Sequence, residues 1–148
     1  MFQNPLIVAA IYALIGLGAN ARGACLDVRE PQPLTLKGSL SRPVFPGPPN
    51  YEDVKKGDKP ERAYIIKLDA PICATGDEFL DSSQTFDTVQ LVVDDSAKDS
   101  RALNASLTQL VGKRVEVTGK SGFGAQTGHH HAPLLVTLVK IAADGTGR

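Results

Sequence analysis

Apolar and polar residues alternate over 34–40, LTLKGSL. Leu34, Leu36 and Leu40 share one face; Thr35, Lys37 and Ser39 share the other. Side chains on a strand point alternately to its two faces, so this pattern predicts a half-buried strand. Gly38 falls on the apolar face, where a glycine permits a bend or a close approach. A second strand is predicted over 63–69, AYIIKLD, with Tyr64, Ile66 and Leu68 aligned, and a third over 88–93, TVQLVV, with Val89, Leu91 and Val93 aligned. Residues 105–112, ASLTQLVG, predict a short helix with a stripe of Leu107, Leu110 and Val111, ended by Gly112 in the left-handed region. Residues 114–119, RVEVTG, give strand four, and 134–141, LLVTLVKI, give strand five. The last run is apolar almost throughout, so alternation does not select its inward face.

The order is three strands, a short helix and two strands. A five-stranded Greek-key barrel of the oligonucleotide/oligosaccharide-binding (OB) type is such a fold, and closure removes the exposed edges that an open sheet of this size would carry. The predicted class is all-β with one short helix, a small OB-like barrel. A half-open five-stranded sheet with a packed helix is the competing fold.

Between strands one and two lies FPGPPNYEDVKKGDKPE, residues 45–61, with four prolines and two glycines. Such a segment holds neither a central strand nor a helix interior. Phe45 and Tyr51 are its candidates for tacking onto the body. The segment from Gly119 to Gly128 is also glycine-rich; it lacks the dinucleotide fingerprint, and it opens on Gly119-Lys120-Ser121 where a P-loop would end on GK[ST]. It reads as a mobile hairpin loop with Phe123 at its tip.

Residues 5–19, PLIVAAIYALIGLGA, form an apolar run followed by the small residues Ala19, Ala21, Gly23 and Ala24. This is the shape of a secretory signal, and the run falls short of the roughly 20 apolar residues of a membrane span. Its charged leading region is poor, and an uncleaved anchor is the alternative. Cleavage after Ala19-Asn20-Ala21 is expected, or before Ala24 or Cys25; Arg22 argues against a lipid-modified Cys25. The expected organisation is a signal peptide, 1–23, and one domain, 24–148, periplasmic or secreted and without a stable membrane span after cleavage.

Cys25 and Cys73 are the two cysteines of the chain. In an oxidising compartment an even pair reads as one disulfide. Strands one and two, paired antiparallel, would bring both to one end of the hairpin. Two free thiols are the alternative, and two thiolates alone are too few for a metal centre.

Sixteen basic and sixteen acidic residues leave no net charge. No basic excess or stripe of the kind that phosphate neutralisation requires is seen, so no nucleic-acid partner is expected. Chemistry is concentrated at His129-His130-His131. On an extended chain His129 and His131 share a face and His130 points away. Zinc, copper or nickel could take such imidazoles. Asp77, Glu78 and Asp81 are further candidate ligands, but no spacing favours them. The expectation is therefore no resident metal and no cofactor, with His129, His130, His131, Phe123 and Tyr51 as a binding surface. No serine lies in a G-x-S-x-G elbow, so no catalytic residue is assigned and the chain is expected to be non-enzymatic.

Several segments together resemble a bacterial envelope domain of unknown function that is sometimes joined to a lysozyme-inhibitor-like module. They are Cys25-Leu26, Leu36-Lys37-Gly38-Ser39-Leu40, Pro46-Gly47-Pro48-Pro49-Asn50-Tyr51, Pro71-Ile72-Cys73, Leu110-Val111-Gly112-Lys113-Arg114-Val115, and His129-His130-His131 before an apolar strand. The resemblance covers roughly residues 25–141 and implies an OB-type barrel, without naming an activity. The expectation is an exported interaction domain with an envelope protein partner, inhibition or neutralisation of that partner being one form; the alternative is a module for a small ligand, glycan or metal. A concave pocket near His129 and His131 would favour a ligand. A convex patch with Tyr51 or Phe123 would favour a protein. An enzyme would need a nucleophile or an acid within reach of His129 or His131.

Overall fold

The computed structural model describes residues 24–145 except Glu30 and Gln32. The expected signal segment, 1–23, lies outside the described residues. The strands are β1 (Leu26–Asp27), β2 (Leu34–Ser41), β3 (Val44–Pro46), β4 (Pro60–Arg62), β5 (Tyr64–Ile72), β6 (Ala74–Thr75), β7 (Phe86–Val92), β8 (Arg114–Gly124) and β9 (Leu134–Ala143), with one α-helix, α1 (Ser100–Leu110), between β7 and β8. Five of them close a barrel in the order β2-β5-β7-β9-β8. Neighbours are antiparallel except β7 and β9, which run parallel. This is the small OB-like barrel that the element order predicts.

The alternation of β2 is realised residue by residue: Leu34, Leu36, Gly38 and Leu40 are buried, and their neighbours are exposed. Its inward leucines meet Ile66, Leu68, Val89, Leu91, Val115, Val117, Leu134, Val136 and Leu138 in one core. The helix begins five residues earlier than expected. Its stripe is Leu103, Leu107 and Leu110, at i, i+4 and i+7, and these pack into the core; Val111 lies outside the helix and is exposed. The polar run before Leu103 hid that first turn. Gly112 has the expected positive φ, 83°.

The glycine-rich segment behaves differently from expectation. Residues 119–124 continue β8, with Gly122 opposite Val136, Phe123 opposite Leu135 and Gly124 opposite Leu134. These glycines serve close packing: a Cβ on Gly124 would stand 2.4 Å from the Phe79 carbonyl oxygen. Phe123 is therefore a strand residue and not a loop tip.

Cys25 and Cys73 form the expected disulfide. The residues after Cys25 form a strand the sequence did not announce, β1, parallel to β6. The Leu26 amide donates to the Cys73 carbonyl at 2.9 Å, and the Gly122 amide to the Val28 carbonyl at 3.0 Å. Val28 is buried among the core residues. Among the described residues no helix is long and apolar enough to cross a membrane.

Two connections cover one end of the barrel. The first, 42–63, carries the antiparallel ribbon β3–β4. The second, 125–133, carries the three histidines. Beneath them lies a row of outward-facing positions in register: Ile65 on β5, Gln90 on β7, Leu135 on β9 and Phe123 on β8. Ile65, Gln90 and Leu135 are buried although they face away from the core. The two connections supply the cover, and this explains why the start of β9 is apolar on both faces.

Candidate functional site

The proline-rich connection is ordered by one carboxylate. Asp58 accepts from the backbone amides of Asn50, Glu52 and Asp53 at 2.8–2.9 Å and from the Asn50 side-chain amide at 3.2 Å. The Asp53, Glu52 and Asn50 amides hold its carboxyl below the usual carboxylate range against the opposing cost of burial. The loop bends tightly around it. Tyr51, flanked by three of these donors, has φ 60°, a left-handed conformation uncommon for an aromatic residue.

This bend delivers Tyr51 to the histidine loop. The Tyr51 hydroxyl lies 3.1 Å from Nε2 of His129, and the two rings meet edge to face. Nδ1 of His129 lies 2.7 Å from Oε2 of Glu61, on β4. The other oxygen of Glu61 lies 3.2 Å from Nε2 of His131. One carboxylate thus joins both imidazoles, although the run lies in a turn and not on an extended strand. An ionised carboxylate only accepts, so His129 carries hydrogen on Nδ1 and His131 on Nε2. In the neutral imidazole the lone pair of His129 Nε2 faces the phenol.

The imidazoles are fixed from below. His131 stacks flat on Phe45, with centroids 4.1 Å apart. Its amide donates to Oε1 of Gln90 at 2.7 Å, and Nε2 of Gln90 donates to the His129 carbonyl at 3.3 Å. His130 points elsewhere: its Nδ1 accepts from the Gln126 amide at 2.8 Å, and its ring meets Phe123 edge to face. The structure therefore unites Tyr51, His129 and His131, and pairs His130 with Phe123 beside them. Cys25 and Cys73 belong to the disulfide end of β5.

Glu61 and Gln90 were not found from sequence. Gln90 had a signal, a lone amide inside the apolar strand 88–93. Glu61 had none, being one acid among the charges of a loop. Asp77 and Asp81 hold local turns instead, accepting from the amides of Phe79 and Ser83. Among the described residues no group of three or more His, Cys, Asp and Glu side chains is arranged to hold a metal ion; His129 and His131 address different oxygens of Glu61.

Exposure falls steeply across the cluster, from 55% for the His129 side chain through 26% for Glu61 to 8% for His131. Burial opposes ionisation of Glu61, but the hydrogen bonds from His129 and His131 outweigh it and leave the carboxyl below its ordinary value. A carboxyl depressed in the folded state stabilises the fold above its unfolded pKa and loses that contribution as pH falls through the folded one. The stability advantage of the wild type over Glu61→Gln is therefore expected to be full at neutral pH and to shrink below about pH 4.5. Denaturant titrations of both proteins at pH 7, 5 and 3 check this. An advantage at pH 3 as large as that at pH 5 would contradict the geometry.

Residues 88–142 match the family model described as Domain of unknown function (DUF4431). The match spans the greater part of β7, α1, β8, the histidine loop and nearly all of β9, and takes in Gln90, Phe123 and His129–His131. Tyr51, Glu61 and both cysteines lie before it. No curated protein and no solved structure matches the chain.

Proposed function

We propose that this chain is an exported interaction domain, and that the crest formed by Tyr51, His129, His130, His131 and Phe123 is the surface that meets a protein partner of the cell envelope. Inhibition or neutralisation of that partner is its concrete form. The observation that carries the reading is an exposed pair, Tyr51 and His129, already fixed before binding: Tyr51 is 36% exposed, yet its ring is set by His129 and by the Asp58-centred bend. Ordering of flexible side chains is a cost of association, and a prearranged tyrosine avoids much of it. Tyrosine is also enriched where interfaces concentrate their energy. The Cys25–Cys73 disulfide supports an oxidising location, and the zero net charge supports a protein partner over a nucleic acid.

The test is capture from envelope extract with the exported chain and with a Tyr51→Ala/His130→Ala variant of unchanged thermal stability. One protein recovered in stoichiometric amount by the wild type and lost with the variant supports the reading. Equal recovery by both, or none together with saturable binding of a sugar or divalent metal, would replace it with a ligand-binding module.

A further inference from the structure

We propose that Tyr51 is a nucleophile, activated by His129 and positioned through Glu61, that accepts acyl groups from activated esters. This goes beyond the interaction reading, and neither depends on the other.

Three observations converge on it. First, the order of groups is hydroxyl, imidazole, carboxylate: 3.1 Å from Tyr51 to His129 Nε2, then 2.7 Å from His129 Nδ1 to Glu61. Nucleophile, base and orienting acid are recognised by this geometry and not by fold or chain position. The sequence lacks a serine elbow, and the fold supplies the hydroxyl from a tyrosine whose partners lie 78 residues away in the histidine loop and, through it, on β4. Second, Tyr51 occupies a left-handed backbone conformation, φ 60°. Such a residue persists only where its surroundings hold it, and residues of this kind cluster at functional sites. Here the Tyr51 amide donates to the Gly47 carbonyl, Asp58 binds the amides on both sides, and the ring packs so closely on Gly128 that a Cβ there would lie 2.6 Å from it. Third, Glu61 is held in turn by His131, stacked on Phe45, so the orienting acid is itself braced while Tyr51 stays 36% exposed.

The step balances without an added oxidant or reductant. The phenolic oxygen attacks the ester carbonyl, and a new C–O bond forms. Nε2 of His129 takes the phenolic proton, with Glu61 stabilising the imidazolium. The bond to the leaving alkoxide breaks, and the proton passes to that oxygen. The products are an O-acylated Tyr51 and a free alcohol. Water attacking the aryl ester by the same route would release the carboxylic acid and restore the phenol.

The probe is p-nitrophenyl acetate, with p-nitrophenolate release followed by absorbance and the acetyl group located by peptide mass mapping. Tyr64 is a control within the same molecule, because its hydroxyl meets the Thr108 hydroxyl instead of an imidazole. Tyr51 is expected to be acetylated at least about tenfold faster than Tyr64. Its rate should level off below the range near pH 10 where a free phenol ionises. His129→Gln should bring Tyr51 down to the Tyr64 rate; Glu61→Gln should slow it, with partial rescue by Glu61→Asp. Equal labelling of the two tyrosines, acetylation confined to His130, or a Tyr51 rate that climbs without levelling to pH 10 would overturn the proposal. The pH profile and the Tyr51-to-Tyr64 ratio are read on the wild type, so they decide the matter even where a variant disturbs the loop. Crest-dependent capture of a partner would survive that outcome.

Discussion

Gly38→Ala is expected to lower the stability of the barrel by about 2 kcal/mol net, from an overpacking cost near the upper end of its range. Gly38 is buried in the middle of β2, opposite Leu68 on β5 and Val115 on β8 at once. A Cβ at this position would lie 2.0 Å from the Lys67 carbonyl oxygen, 2.7 Å from its carbon and 3.0 Å from the Leu68 Cα. All three are backbone atoms. No rotamer change relieves the contact; β5 must move away from β2, and the ladder between them must stretch. Alanine loses less chain entropy than glycine on folding, which offsets the clash by roughly 0.5–1 kcal/mol. For a domain of this size the net loss corresponds to a fall in melting temperature on the order of 10 °C. Thermal and denaturant unfolding of the oxidised protein measure it. The comparison is Gly57→Ala, where the added Cβ meets nothing within 4 Å and only the backbone conformation, φ 110°, opposes it. A loss at Gly38 no larger than at Gly57 would show that the strands are not in such close contact.

Gly38 also marks how far the barrel is legible from the chain. Its strand alternates without exception, and the one glycine on the apolar face marks where the β5 backbone passes closest to β2. The helix falls between the third and fourth barrel strands as the pattern predicts, but its start does not: Leu103 stands alone in polar sequence, and only its spacing to Leu107 and Leu110 gives it meaning. Glycines 119, 122 and 124 disguise the length of β8, because local sequence does not distinguish a glycine needed for a turn from one needed because another backbone passes nearby. At the crest, His129 and His131 lie in a turn before β9 and not on a strand, and it is Glu61 that brings them together. Glu61 becomes special only when ribbon β3–β4 folds over the barrel end, a contact 68 residues long in sequence that no local pattern encodes. Covered outer positions such as Ile65 and Leu135 are ambiguous for the same reason, since what buries them is a distant loop.

Removing the disulfide with Cys25→Ser/Cys73→Ser is expected to cost about 4 kcal/mol, the chain entropy released when a loop of this length is opened in the unfolded state. The bond spans 48 residues and encloses β1, β2 and the whole 42–63 connection. Folded domains of this kind hold only about 5–15 kcal/mol in all, so the loss is a quarter or more of the total. The folded contacts of the tail are not the bond's alone. Leu26 and Val28 donate to the Cys73 and Thr75 carbonyls, and Val28 is buried to 1% exposure. The serine variant should therefore still fold, with the tail now able to open separately from the barrel. Two measurements distinguish the effects. Denaturant unfolding reads the global loss. Exchange of the Val28 amide reads the local one, and it should accelerate further than amides of β9 at the barrel centre. A global loss under about 1 kcal/mol, with Val28 as protected as before, would show that Val28 and the β1–β6 pairing anchor the tail unaided, and would remove a support for the proposed oxidising location.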